Sequence, residues 1–167
     1  MYYDEADLSR KVAWTAMTFA LLPFENFPEL SQNRPILKMY AQEDPMKIKI
    51  KIGSLSMDAE LNETPTAQKV AEALPIKSSF STWGDEIYFT IPVKAGLEPG
   101  AKAVVELGDI GYWPQGAAFC IFFGQTPMSS PGEIVPASPV NVIGKIIGDP
   151  KKFKKVMRER QVIIEAG

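Results

Sequence analysis

The run Ala117–Phe123, AAFCIFF, constrains the fold more than any other stretch: it is apolar throughout and fenced by Gly116 and Gly124. A short apolar run bounded by turn residues and rich in aromatics fits a strand buried on both faces better than a helix. The residues before it sharpen the reading. Val104, Val105 and Leu107 lead into the turn pair Gly108-Asp109, and Gly111 opens a second turn. Tyr112 and Trp113 then stand between Gly111 and Pro114, with Gly116 releasing the chain. Proline and glycine around two large aromatics predict a stiff corner rather than a mobile loop.

The flanking segments repeat the β pattern. Ile48, Ile50 and Ile52 alternate with Lys47, Lys49 and Lys51, so one face is buried and the other wet. Gly53-Ser54 turns the chain, and Leu55, Met57, Ala59 and Leu61 return it as a hairpin. One helix follows, capped by Thr64, begun by Pro65 and stopped by Pro75, with Ala67, Val70, Ala71 and Leu74 on one face. Strands are predicted over Ile76–Thr82 and Glu86–Val93, around a Trp83-Gly84-Asp85 corner. After a Pro-, Ser- and Gly-rich loop over Pro127–Pro139 comes another strand, Val140–Ile147, with Gly144 marking a bulge or a close approach. Asp149-Pro150 then caps a short basic helix with Phe153, Val156 and Met157 inward, and Val162–Ile164 closes the sheet. Many short strands, two small helices and no βαβ rhythm predict a closed barrel.

Residues 1–45 read differently. Asp4–Leu22 has the marks of a helix, but its apolar part, Val12–Leu22, is about 11 residues long, where a bilayer span needs roughly 20. Asp4, Glu5 and Asp7 at its front and the lack of a small-residue cleavage site argue against a signal peptide. Pro23, Pro28, Pro35 and Pro45 make the remainder a linker. The segment is expected to be an N-terminal extension, helix plus linker or disordered. Either it comes from an upstream start, with Met46 the true beginning, or it is a docking arm carrying Trp14, Phe19 and Leu22. The barrel domain is assigned to residues 46–167.

Composition narrows the chemistry by what is missing. The chain has no histidine and one cysteine, Cys120. The Ser-His and Cys-His nucleophile systems and the commonest metal ligand are therefore out of reach, and no intramolecular disulfide can form. Neither a P-loop nor a dinucleotide-binding glycine fingerprint occurs. A net charge of −2 gives no global attraction to nucleic acid or anionic membrane. The expectation is a cytoplasmic protein without metal or cofactor, and without nucleic-acid or membrane partners.

Four blocks, STWGDEIYFTIPV, VVELGDIGYWPQG, FCIFFGQTPMS and PASPVNVIGKI, resemble the small cyclophilin-like proteins of bacteria and archaea, a domain of unknown function. The resemblance runs from about Met46 to Ala166 and keeps the order of the blocks. It implies a mainly β fold: a closed eight-stranded barrel capped by two short helices. True cyclophilins isomerise prolyl peptide bonds, and the family uses an arginine guanidinium near the prolyl nitrogen. Such a donor weakens amide resonance and lowers a barrier of about 18–20 kcal/mol. No arginine lies between Met46 and Pro150; Arg10, Arg34, Arg158 and Arg160 are all outside it, and lysine lacks the planar fork. Efficient isomerase activity is not expected.

A binding role is expected instead, in an aromatic and amide-lined cleft built from Trp83, Tyr88, Tyr112, Trp113, Gln115, Phe119, Phe122, Gln125, Met128 and Asn141. Its partner would be a small molecule or a proline-containing peptide. The bland alternative for each aromatic is barrel core, and for Gln125 a loop hydrogen bond. A weak or atypical prolyl isomerase and a protein–protein interaction domain are the competing functions. Glu86, Asp85 and Asp109 invite an acid/base reading, but no partner stands at fixed spacing, and Asp85 and Asp109 read as turn residues. Cys120 reads as an inert small hydrophobe and Lys151–Arg160 as a solvated basic face.

Overall fold

The computed structural model of the protein describes residues 46–167; the expected helix over Asp4–Leu22, the linker after it and the docking-arm residues lie outside the described residues. Nine strands form one sheet: β1 (Met46–Ile52), β2 (Leu55–Leu61), β3 (Ile76–Ser79), β4 (Ser81–Thr82), β5 (Glu86–Thr90), β6 (Asp109–Trp113), β7 (Ala118–Phe122), β8 (Asn141–Ile146) and β9 (Gln161–Ala166). Their order is β3-β9-β1-β2-β8-β6-β7-β5-β4, and every pairing in it is antiparallel. The two ends of this order, β3 and β4, are separated only by Phe80. One bent chain segment thus pairs with β9 on one side and β5 on the other, which nearly closes the barrel. Nine strands rather than the expected eight follow from that bend: Phe80 breaks the ladder where the segment passes from one partner to the next.

The alternation of β1 decides its orientation. Ile48, Ile50 and Ile52 are fully buried, while the lysines between them reach solvent and pair with Asp58 across β2 and Glu165 across β9. Burying each isoleucine contributes roughly 1.5–3 kcal/mol, whereas such surface ion pairs are worth about 0–1 kcal/mol, so the isoleucines set the register. Met57, Ala59 and Leu61 of β2 meet them inside, with Ile76, Ile87, Phe89, Ile110, Tyr112, Phe119, Ile121, Ile143 and Ile164 from the other strands. Phe89 and Phe119 stack at 5.3 Å.

Two short helices cover the barrel. Helix α1 (Pro65–Glu72) starts where Thr64 Oγ1 accepts the Ala67 amide, and it buries Thr66, Ala67 and Val70. The basic helix expected after Asp149 is a 3-10 helix over Pro150–Val156. Phe153 and Val156, three residues apart, fall on one side of its three-residue turn and are both buried, with Phe153 against Phe123. The strand expected at Val104–Leu107 is reduced to single bridges, Lys102 to Val140 and Val105 to Ile134. Gly111 lies within β6, where the register against β8 shifts between Ile110 and Gly111. Gly144 marks a close approach: a Cβ there would stand 2.3 Å from the Glu60 carbonyl oxygen. No helix among the described residues is long and apolar enough to cross a membrane.

Candidate functional site

Strands β5, β6 and β7 are buried on both faces, but by different things. Ile87, Phe89, Ile110, Tyr112, Phe119 and Ile121 point into the barrel. Their neighbours point outward: Cys120 and Phe122 of β7 pack with Val105 and Val140, and Tyr88, Trp113, Ile134 and Val142 lie against them. The segment after Gly124 covers this outer layer, so AAFCIFF needs no polar side chain. Between the layer and its cover lies a cavity of about 170 Å³, lined by Trp83, Glu86, Tyr88, Trp113, Cys120, Pro136, Ala137 and Val140.

Each wall is held by a local device. Trp83 sits on the corner after β4, where its amide donates to the Glu86 carbonyl at 2.9 Å. The corner needs Gly84, which has φ +61° and leaves no room for a Cβ: one there would stand 2.7 Å from the Gln125 carbonyl oxygen. Trp113 ends β6, and its indole N–H donates to Ser138 Oγ at 2.8 Å; that hydroxyl donates in turn to Gln115 Oε1 at 3.3 Å. A Cβ on Gly116 would lie 2.5 Å from Trp113 Cε3, so the glycine makes room for the ring. The covering segment is pinned. Thr126 Oγ1 donates to the Val135 carbonyl at 2.5 Å, Ser129 Oγ accepts the Thr126 and Val135 amides, and Gln125 Nε2 donates to the Ser130 carbonyl. The walls of the cavity are thus fixed by the fold itself.

Its polar floor is Glu86 beside Cys120. Tyr88 pairs with Cys120 across β5 and β7, and Glu86 pairs with Phe122, so Glu86 and Cys120 are diagonal neighbours on the outer face. Burial raises the Glu86 carboxyl to about pH 7, and a hydrogen bond from the Cys120 thiol partly opposes that rise. Burial, and then the neighbouring carboxylate, push the thiol well above its ordinary range. A thiol so disfavoured as thiolate is no nucleophile. The floor therefore offers one carboxyl that changes charge near neutrality, within apolar walls.

Of the ten residues singled out in the sequence, the cavity brings together Trp83, Tyr88 and Trp113. Phe122 is in the layer beneath, and Gln115 reaches the cavity only through the Ser138 hydroxyl that fixes Trp113. Tyr112 and Phe119 face the barrel interior, where the Tyr112 hydroxyl donates to the Val93 carbonyl at 2.8 Å. Gln125 makes the loop hydrogen bond already described, and Met128 stands exposed. Asn141 is buried on the opposite face of β8 from Val140; its Nδ2 donates to Thr66 Oγ1 and the Gly96 carbonyl, and its Oδ1 accepts the Glu98 amide. Asp109 closes the turn Glu106–Asp109, as expected, its amide donating to the Glu106 carbonyl at 3.1 Å, and it also opens β6; its carboxylate accepts the Glu106 amide and lies 3.5 Å from Lys145. Glu86 and Cys120 are discounted in the sequence as site residues, and Pro136, Ala137 and Val140 carry no sign there of lining a cavity. The signal for Glu86 was its place two residues before Tyr88 in a strand, which puts both side chains on one face.

The cyclophilin-like family model matches residues 46–165. The solution structure of the hypothetical protein AF2241 from Archaeoglobus fulgidus is 43% identical and superposes with a TM-score of 0.64, covering 77% of this chain and 100% of that one. The structure of McbB in complex with tryptophan is 12% identical with a TM-score of 0.55, over 71% of this chain and 44% of that one, a likeness of fold alone. No curated protein matches the sequence. With a family match over most of its length and a close relative covered end to end, the chain belongs to the cyclophilin-like family.

Proposed function

We propose that this protein is a cytoplasmic binding module that takes a compact small molecule, or one side chain of a short peptide, into the cavity on the outer face of β5, β6 and β7. The observation that carries the reading is a buried carboxyl on the floor of a preformed aromatic cavity. Burying a carboxyl is costly, and folding alone gains nothing evident from it here. The volume sets the scale of the ligand. About 170 Å³ is close to the roughly 150 Å³ of an apolar cavity that holds benzene, and well below the roughly 300–1,000 Å³ of sites for drug-sized molecules. One ring or one branched group fits.

Nothing lining the cavity favours prolyl isomerisation. Among the described residues its polar groups are a carboxyl, a phenol, a thiol and two indole N–H donors, and no guanidinium is among them. The test reads binding and catalysis together. The full chain, labelled with ¹⁵N, is titrated with a panel of benzene-sized neutral and charged fragments and with a short Xaa-Pro peptide, and the Trp83 and Trp113 indole N–H signals are followed. At least one fragment is expected to shift both signals, and Gly116→Val, which drives a side chain into the Trp113 ring, is expected to abolish the response. Absence of any shift up to about 50 mM fragment would end the reading, since six to eight heavy atoms at about 0.3 kcal/mol each bind at roughly 20–50 mM. Accelerated cis/trans exchange of the peptide would put catalysis back in place of simple binding.

A further inference from the structure

The cavity's electrostatics are incomplete without a ligand. Glu86 is 6% exposed, and among the described residues no lysine or arginine pairs with it. The cations of the neighbourhood are engaged elsewhere: Lys154 pairs with Asp85 at 2.7 Å, on the other side of the Trp83 corner, and Lys145 with Glu106 and Asp109. Among the described residues the lining contains no positively charged side chain. A buried carboxylate is stable only when its charge is paired, and among the described residues Glu86 has the Cys120 thiol and three aromatic side chains beside it but no cation. Tyrosine and tryptophan faces attract cations through their quadrupoles, tryptophan most strongly. An anionic floor and π walls around one small volume are complementary to a single ligand chemistry.

Resting on the reading of this cavity as a binding site, we propose that its ligand is a compact methylated ammonium group, with the Glu86 carboxylate as counter-ion and Trp83, Tyr88 and Trp113 as walls. Methylation follows from the rest of the lining. A primary ammonium brings three N–H donors that need acceptors in several directions; the side-chain acceptors on the lining are the Glu86 carboxylate and the Tyr88 hydroxyl, and the opposite wall of Pro136, Ala137 and Val140 presents none. Each donor left without an acceptor loses its hydration uncompensated, whereas N-methyl groups need only apolar contact. The ammonium can be carried by a free small molecule or by a methylated lysine side chain; both present the same group to the cavity.

Charge at Glu86 then governs affinity. The other titratable groups on the cavity are the Tyr88 phenol next to it on β5 and the Cys120 thiol across from it on β7; β6 and the Pro136–Ala137 wall contribute none, and Asp85 turns away to Lys154. The carboxyl loses its proton near pH 7, so a cation is held more tightly above neutrality than below.

Choline and 3,3-dimethyl-1-butanol, its uncharged carbon isostere, provide the test. Both are titrated into the ¹⁵N-labelled full chain at constant ionic strength, with the Trp83 and Trp113 indole signals as readout. At about pH 8 choline is expected to bind about tenfold or more tightly than the alcohol, and the advantage is expected to shrink to about twofold at about pH 5.5 and in Glu86→Gln. The pH series on the unaltered protein keeps the test decisive should the variant fold poorly. An alcohol that binds as well as choline at high pH would overturn the ammonium assignment while leaving a binding cavity in place. Failure of both compounds, with response to other neutral fragments, would have the same meaning; failure of every probe would overturn the cavity reading too. A trimethyl-lysine peptide run beside the free amino acid separates the two sources: tighter binding of the peptide assigns a side chain, and equal binding assigns a free ligand.

Discussion

Glu86 is the residue whose energetics reach furthest. Its carboxyl moves from an ordinary 4.5 to about 7 because burial disfavours the charged form, with the Cys120 thiol pulling weakly the other way. The folded state therefore holds a proton that the unfolded chain has already released. Between about pH 4.5 and 7 the native protein binds more protons than the unfolded one, so stability falls as pH rises through that window and levels off above it. Glu86→Gln removes the titration. Urea midpoints measured across pH should show a flatter profile for the variant, which at about pH 8 is more stable than the parent by up to about 3 kcal/mol. Parallel profiles for the two proteins would mean that Glu86 is ordinary and solvated. Natural proteins tolerate such a cost at sites kept for function rather than stability.

At the scale of elements, β8 shows how one strand serves two purposes. Val140, just before it, meets the cavity, while Asn141, its first residue, turns the other way and ties the start of α1 to the segment Gly96–Glu98 through three hydrogen bonds. Asn141→Ala leaves the Gly96 carbonyl and the Glu98 amide without partners, at roughly 1–3 kcal/mol for each group that stays buried. Thermal unfolding should show a destabilisation of roughly 2–4 kcal/mol, and hydrogen exchange should accelerate at Glu98, with the tryptophan response to ligand unchanged. Loss of the ligand response at unchanged stability would make Asn141 a ligand contact instead.

The same strands explain what could be read from the sequence and what could not. KIKIKI and LSMDAEL alternate because one of their faces is wet, and Thr64-Pro65 announces α1; those elements stand where the pattern puts them. In β6 and β7 the alternation is erased, because the segment after Gly124 buries the outer face as thoroughly as the barrel buries the inner one. Tyr112 and Phe119 therefore carry the same sequence signature as Trp113 and Phe122 although they point to opposite sides. The pairing of Glu86 with Cys120 joins residues far apart in the chain, and only the register of β5 on β7 brings them together.

For the whole molecule, the separation of core from cavity has a consequence for change over generations. Along β5 the even-numbered residues Glu86 and Tyr88 face the cavity, and the odd-numbered Ile87 and Phe89 fill the barrel. Substitutions in one set leave the packing partners of the other largely alone, and effects at sites without shared partners add. Two libraries would make the point measurable. Randomising Glu86, Tyr88, Trp113 and Cys120 together should leave a large fraction of clones soluble and folded, many with altered ligand preference. Randomising Ile87, Phe89, Phe119 and Ile121 should leave few; equal survival in a protease-resistance sort would refute the separation. A barrel divided this way can keep its architecture while its descendants exchange one ligand for another, so kinship in fold is free to outlast kinship in what is bound.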